Sequence, residues 1–318
     1  MRWPWLALGA LLIAYPWLVS GTDSAAFLQD MGVLVLLAAI GATGWNIVGG
    51  YAGQVSVGHA LFFGAGAYLP LLLYQHWLLP PLLGVPFGVA VSLALALAVG
   101  YPTFRLVGHY FSMATIAVAE LVHIVVGNWD FVGAAIGLQG PATPRGWYDL
   151  IFLSSVPYYY IFLAVLALLL LATWRMQQGR VGYYLRAIRA GERAARSLGV
   201  PVRRYKLYAL MLSATFTSLA GSLYALKNGS IDPDYGFGIL VSVRMVIIAA
   251  LGGAGTLVGP LVGAVILIPL ETWTNTVFGG SGSGLTYIIY GGIIVLIARF
   301  EPGGLVELWH RLVATRAR

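Results

Sequence analysis

From Phe162 to Ala172 the chain reads FLAVLALLLLA, an apolar run without a polar break. The run does not alternate, so it lacks the in–out pattern of a strand in a membrane barrel. Extended on both sides it becomes an apolar span over 156–174, near the ~20 residues an α-helix needs to cross the hydrocarbon core. Directly after it the composition reverses. Arg175, Arg180, Arg186, Arg189, Arg193, Arg196, Arg203, Arg204 and Lys206 all fall within 175–206.

The same contrast recurs along all 318 residues, of which 59% are hydrophobic and only 9% charged. A soluble domain carries about 25% charged residues. The mean hydropathy of +0.85 agrees. In a bilayer the backbone must satisfy its own polar groups, which leaves helices or closed barrels. The long non-alternating runs select helices. The expected fold is therefore all-α and polytopic, with about ten spans near 3–20, 31–49, 58–74, 85–101, 110–126, 156–174, 207–226, 238–251, 256–271 and 284–299. Short or glycine-interrupted spans among them are candidates for tilted or re-entrant segments.

Basic residues concentrate on the cytoplasmic side of membrane proteins. With the N-terminus placed inside, Arg2, Arg105, the nine bases of 175–206, Arg299, Arg311, Arg316 and Arg318 fall inside. Arg145 and Lys227 fall outside, and Arg244 lies within a span. The acids Asp23, Asp30, Asp130, Asp149, Asp232, Asp234 and Glu271 fall outside. Both termini are then cytoplasmic. The net charge of +7 follows this sorting, which argues against a nucleic-acid partner. Arg2 with the following apolar run has the look of a signal peptide, but without a clear small-x-small site a retained first helix is expected. Two non-membrane stretches stand out: an external loop over 127–155 and a cytoplasmic loop over 175–206. The chain reads as one transmembrane domain over 1–318.

Two glycine-rich segments, Gly49 to Gly58 and Gly252 to Gly259, follow the second and eighth spans, on the same side of the membrane. A weak internal duplication and convergent helix packing both account for them.

Several chemistries lack their residues. Without cysteine there is no disulfide or thiolate chemistry. A phosphate-cradling loop needs Gly-x-x-x-x-Gly-Lys-Ser/Thr. The two lysines, Lys206 and Lys227, are followed by Leu207 and Asn228. Glu120 and His123 form a single Glu-x-x-His pair, where di-iron bundles use two such pairs and two further acids. No metal site, no cofactor and no enzymatic activity are expected of this chain.

The basic segment is the most informative. Arg186, Arg189, Arg193 and Arg196 share one helical face, with Leu185, Ile188, Ala195 and Leu198 as a neighbouring apolar strip. This is an amphipathic helix, or two short ones broken near Gly191, ended by Gly199 and Pro201. It lies on anionic lipid or docks into a partner.

Here a resemblance enters. Arg186, Ala187, Ile188, Arg189, Glu192, Ala194, Ala195, Leu198, Gly199, Tyr205 and Lys206 resemble the cytoplasmic loop of branched-chain amino acid ABC transporter permeases, the LivM type within the LivH/LivM family. Four further stretches match in order: Asn46 through Tyr68, Gly108 through Phe111 with Thr115 and Glu120, Leu251 through Ala264, and Phe300 through Leu305. The external loop departs from the family's Thr-Gly-Gly-x-x-Gly-Leu, reading VGAAIGL over 132–138.

The resemblance implies the membrane-spanning subunit of an ATP-driven importer in the bacterial inner membrane. Branched-chain amino acids are its solute, with urea, another amide or another amino acid as the alternative within the family. It implies as partners a LivH-like second permease, two ATP-binding subunits holding ATP and magnesium, and an extracytoplasmic solute-binding protein. Arg186, Arg189, Glu192, Ala194, Ala195 and Gly199 would then couple to the ATPases. Within the membrane, Glu120 and Arg244 are expected to pair or to line a wet path, since unpaired charges there are costly. Asn46, Gln54, Ser56 and His59 are weaker candidates for the path or for interhelical hydrogen bonding. A stand-alone secondary transporter with Glu120 as its ion site is the rival.

Overall fold

The apolar run around Phe162 forms one long helix, Ser155–Gln178. Ser154 caps it, its hydroxyl accepting from the Val156 amide at 3.3 Å, and it stops at Gly179 in extended geometry. The computed structural model describes residues 3–141, 147, 149–278, 288, 291–292 and 303–308. In chain order its helices are α1 (Trp3–Val19), α2 (Ala25–Asn46), α3 (Ala60–Trp77), α4 (Pro81–Thr103), α5 (His109–Gly127), α6 (Ser155–Gln178), α7 (Arg180–Ala190), α8 (Glu192–Ser197), α9 (Val202–Asn228), α10 (Pro233–Phe237), α11 (Ile239–Gly252) and α12 (Gly259–Phe278). The first nine expected spans each coincide with one of these helices. The tenth, 284–299, lies almost wholly outside the described residues. Among the described residues, six segments are long and apolar enough to cross a membrane by themselves: α2 with its π-helical end (Ile47–Tyr51), α4, α5, α6, α9, and α10 with α11. The polypeptide is an all-α, multi-pass membrane protein.

α9 is the central helix. It packs against α3, α4 and α2, and α2 in turn packs against α6 and α12. Lipid offers no hydrophobic drive for helix association, so close approach and hydrogen bonds must supply it. A Cβ on Gly66 of α3 would stand 2.0 Å from the Ser218 carbonyl oxygen, and one on Gly221 of α9 would stand 2.0 Å from that of Phe63. Only glycine admits that backbone contact. The buried hydroxyls of α9 complete it: Ser213 donates to the Gly44 carbonyl at 2.7 Å and Ser222 to that of Gly66 at 2.8 Å.

The inter-element contacts sort into two ends of the bundle. At one end, Lys227 pairs with Asp30 at 2.7 Å and His76 Nε2 lies 2.9 Å from the Phe131 carbonyl. There too a two-residue antiparallel ladder joins β1 (Leu138–Gln139) to β2 (Ser230–Ile231), with Leu138 opposite Ile231. At the other end, Arg203 donates to the Tyr101 carbonyl at 2.6 Å and stacks its guanidinium 3.3 Å from that ring's centre. The two glycine-rich segments and the basic segment also meet here. Segments an even number of spans apart in the sequence therefore share an end.

Two details differ from the sequence reading. Leu198 is 83% exposed, whereas Leu185, Ile188 and Ala195 are buried. The expected strip assumes one continuous helix, and the break at Gly191 turns α8 so that Leu198 points outward. Glu271, expected outside, lies within α12.

Candidate functional site

Two groups of side chains stand out, one at the basic end of the bundle and one in its interior.

At the basic end, α7 buries Leu185 and Ile188, as its amphipathic spacing requires. Arg189 reaches inward from this helix: its Nη1 donates to the Gly50 carbonyl at 2.6 Å. Arg186 faces solvent, its guanidinium 4.8 Å from the Tyr183 ring centre. After Gly191, Glu192 opens α8 and divides its carboxylate. One oxygen accepts from Arg196 Nη2 at 3.1 Å and the other from Lys206 Nζ at 2.5 Å. Lys206 is fully buried, 0% exposed, and also donates to Gln54 Oε1 at 3.0 Å. A buried ammonium is tolerated only when so paired. Glu192, Lys206 and Gln54 thus tie α8 to α9 and to the first glycine-rich segment. In the sequence Lys206 is only one base among many; its burial follows from α9 beginning at Val202, ahead of the apolar stretch.

Gly199 ends α8. Its φ of +79° is left-handed, its amide bonds the Arg196 carbonyl at 3.0 Å, and the Val200 amide bonds that of Ala195 at 3.1 Å. This is a Schellman ending with its apolar pair, Ala195 and Val200, buried. A Cβ there meets no atom within 4 Å, so Gly199→Ala acts through backbone strain alone. We expect about 1 kcal/mol, read as roughly fivefold faster hydrogen exchange confined to α8. The sequence-assigned residues therefore divide: Arg186 and Ala194 look outward, while Arg189, Glu192 and Ala195 hold the element to the bundle and Gly199 shapes its end.

Asn46 is buried beneath this junction. Its Nδ2 donates to the Thr256 carbonyl at 2.8 Å and its Oδ1 accepts from the Gly255 amide at 2.7 Å. The two glycine-rich segments are thereby clipped together. Ser56 and His59 belong to a neighbouring buried network. His59 Nδ1 lies 3.1 Å from Ser56 Oγ and its Nε2 lies 2.8 Å from Ser213 Oγ. Asn46, Gln54, Ser56 and His59 do not line the large cavity.

That cavity, of about 780 Å³, is bounded by α2, α3, α5, α9, α10, α11 and α12. Most of its wall is apolar, including Leu37, Phe63 and Ile248, but it carries charge. Glu120 and Arg244 both line it, yet they do not pair. Arg244 Nη2 takes Glu271 of α12 at 2.5 Å. Glu120 Oε1 lies 3.5 Å from His123 Nδ1, and His123 Nε2 lies 3.0 Å from Asp234 Oδ1. Such a lining, mostly apolar with a few charged groups, is of the kind that small-molecule sites have. Among the described residues no cluster of three or more metal-ligating side chains occurs.

Known proteins point the same way. The chain is 28% identical over 327 aligned residues to the high-affinity branched-chain amino acid transport system permease protein LivM of Escherichia coli K12, covering 95% of this chain and 74% of that one. The Salmonella typhimurium protein of the same name is 27% identical with the same coverage. The ribose import permease RbsC of Escherichia coli K12 is 28% identical over 221 residues, covering 66% of each chain. No solved structure matches. Residues 28–298 match the family of branched-chain amino acid transport system permease components, and the chain belongs to that family.

Proposed function

We propose that this permease carries branched-chain amino acids across the bacterial inner membrane, driven by ATP hydrolysed in partner subunits. Two permease chains, this one and a LivH-like second, enclose the path. An external binding protein delivers the solute, and two ATP-binding subunits with ATP and magnesium dock at the basic end. By the positive-inside preference that end is cytoplasmic, with both termini there and anionic lipid around it. The chain itself binds no cofactor and performs no chemistry.

The observation that carries this reading is the outward surface of α7 and α8. Arg186, Arg193, Ala194 and Leu198 face away from the bundle while the inward residues of the same element are bound to it. An exposed leucine among arginines, on a rigidly held pair of short helices, suits a protein partner better than a lipid surface. The LivM likeness and the apolar, charge-ended cavity support an aliphatic amino acid as the solute.

The test is reconstitution. The full complex in proteoliposomes should take up leucine only with ATP. Leu198→Asp should weaken retention of the ATP-binding subunits at least about tenfold, as truncated interface anchors do, while the permease stays monodisperse. Leucine flux through this chain alone, with no ATP-binding subunits, would instead favour the rival transporter with Glu120 as its ion site.

A further inference from the structure

Helices α2 and α11 both wall the cavity, α2 through Leu34, Leu37 and Ala38 and α11 through Val241, Arg244 and Ile248. Each runs on from the cavity into one of the glycine-rich segments at the basic end. Those two ends are fastened by the paired hydrogen bonds of Asn46 to Gly255 and Thr256. Asn46 is 0% exposed, so both bonds are shielded from competing water. The last turn of α2 is π-helical, Ile47–Tyr51, which disturbs the usual i→i−4 ladder there. Arg189 of α7 takes the Gly50 carbonyl in that turn at 2.6 Å. A guanidinium at a helix C-terminus also meets the partial negative charge of the helix dipole.

The same guanidinium lies against the second segment: a Cβ on Gly255 would stand 2.1 Å from Arg189 Nη1. Gly255 has a φ of +89°, so its left-handed backbone favours glycine, and a side chain there would displace the guanidinium. Arg189 pairs with no acid among the described residues. Its visible polar bond is to the end of a cavity helix, and it is the residue of α7 that touches both glycine-rich segments.

We propose that Asn46 and Arg189 form a clamp through which a displacement of α7 and α8 moves α2 and α11 as one unit. The clamp rests on the reading of α7–α8 as the ATPase-docking element. Arg189 and Asn46 are then positioning residues: they touch neither solute nor nucleotide, and they set how far the cavity wall follows the motor. The hydrogen bonds are few and directional, so losing one partner loosens the linkage without removing either helix from the bundle.

The absence of cysteine in the chain permits a direct test. Leu240→Cys places a thiol on the cavity wall, at a side chain 52% exposed. Its modification by a charged methanethiosulfonate is followed on this chain in the complete complex, nucleotide-free and with ATP plus vanadate. In the parent complex the two rates should differ by about tenfold or more, within the usual range of site-to-site coupling. In Asn46→Ala and in Arg189→Met the ratio should fall to within about twofold while ATP hydrolysis continues, and Arg189→Lys should keep part of it. Arg189 sits at the rim of the fold, so Arg189→Met decides the matter even where Asn46→Ala fails to yield folded protein. An undiminished ratio in Arg189→Met overturns the clamp alone. A thiol that never responds to nucleotide in the parent complex overturns the docking reading, and the clamp with it.

Discussion

Replacing Glu192 with alanine should lower the stability of the purified protein by about 3 kcal/mol, at the low end of what removing one partner of a buried ion pair costs. The cause is Lys206. Its ammonium is wholly buried and rests on Glu192 at 2.5 Å and Gln54 at 3.0 Å, with the Phe104 ring centre 5.9 Å away. Without the carboxylate, the contacts left to the ammonium among the described residues are an amide oxygen and an aromatic face. A denaturant or thermal unfolding series in detergent reads the loss. Glu192→Gln keeps an acceptor and falls between. The double variant Glu192→Ala with Lys206→Met recovers most of the stability, because removing both partners leaves no uncompensated charge. It does not recover ATP-driven uptake, since α8 has lost its tie to α9 and Gln54. Equal stability of the single and double variants would show that Lys206 does not need Glu192, and the proposed connection would fall with it.

That result turns on a residue whose importance the sequence conceals. Lys206 is one of nine bases in a basic stretch, and a charge run ordinarily reads as solvated. Its burial depends on where α9 begins relative to its apolar portion, which periodicity locates only loosely. Much else is open to reading. The run at Phe162 forms α6, the break at Gly191 is one of the two forms that the basic segment's pattern allows, and the two glycine-rich segments share one end as the span count requires. What joins them is not legible: Asn46 sits 209 residues before Gly255, and nothing local marks it as a clip.

Glu271 shows a different limit. The apolar span ends at that residue, and the following Thr-Trp-Thr-Asn-Thr reads as a loop. Yet α12 continues to Phe278. Thr272, Thr274 and Thr276 donate their hydroxyls to the carbonyls four residues back, at 2.9, 2.7 and 2.9 Å. Threonines that bond back this way are compatible with helix in an apolar setting, so the polar turn stays helical and carries Glu271 beside Arg244.

The largest effect on transport is expected at this second pair. Arg244→Ala leaves Glu271 without its cation on the cavity wall, and leucine uptake by the reconstituted complex should fall about a hundredfold, near the 3 kcal/mol that a lost charge-assisted contact costs. The protein should still fold, because both side chains line the cavity rather than the packed core, with 40% of Arg244 and 20% of Glu271 exposed. Glu120→Gln should cost less, about tenfold, since among the described residues Glu120 pairs with no Lys or Arg and lies 3.5 Å from His123 Nδ1, so its loss strands no guanidinium or ammonium. The informative variant is the exchange, Arg244→Glu with Glu271→Arg. It restores an ion pair between α11 and α12 but inverts the polarity that a solute carboxylate and ammonium would meet. If the pair only holds the two helices together, the exchange regains uptake along with stability. If the pair also orients a zwitterion, the exchange regains stability alone, and uptake stays near that of Arg244→Ala. The cavity geometry favours the second outcome, because the acids Glu120 and Asp234 flank His123 within the same chamber and offer an ammonium group a place apart from the guanidinium.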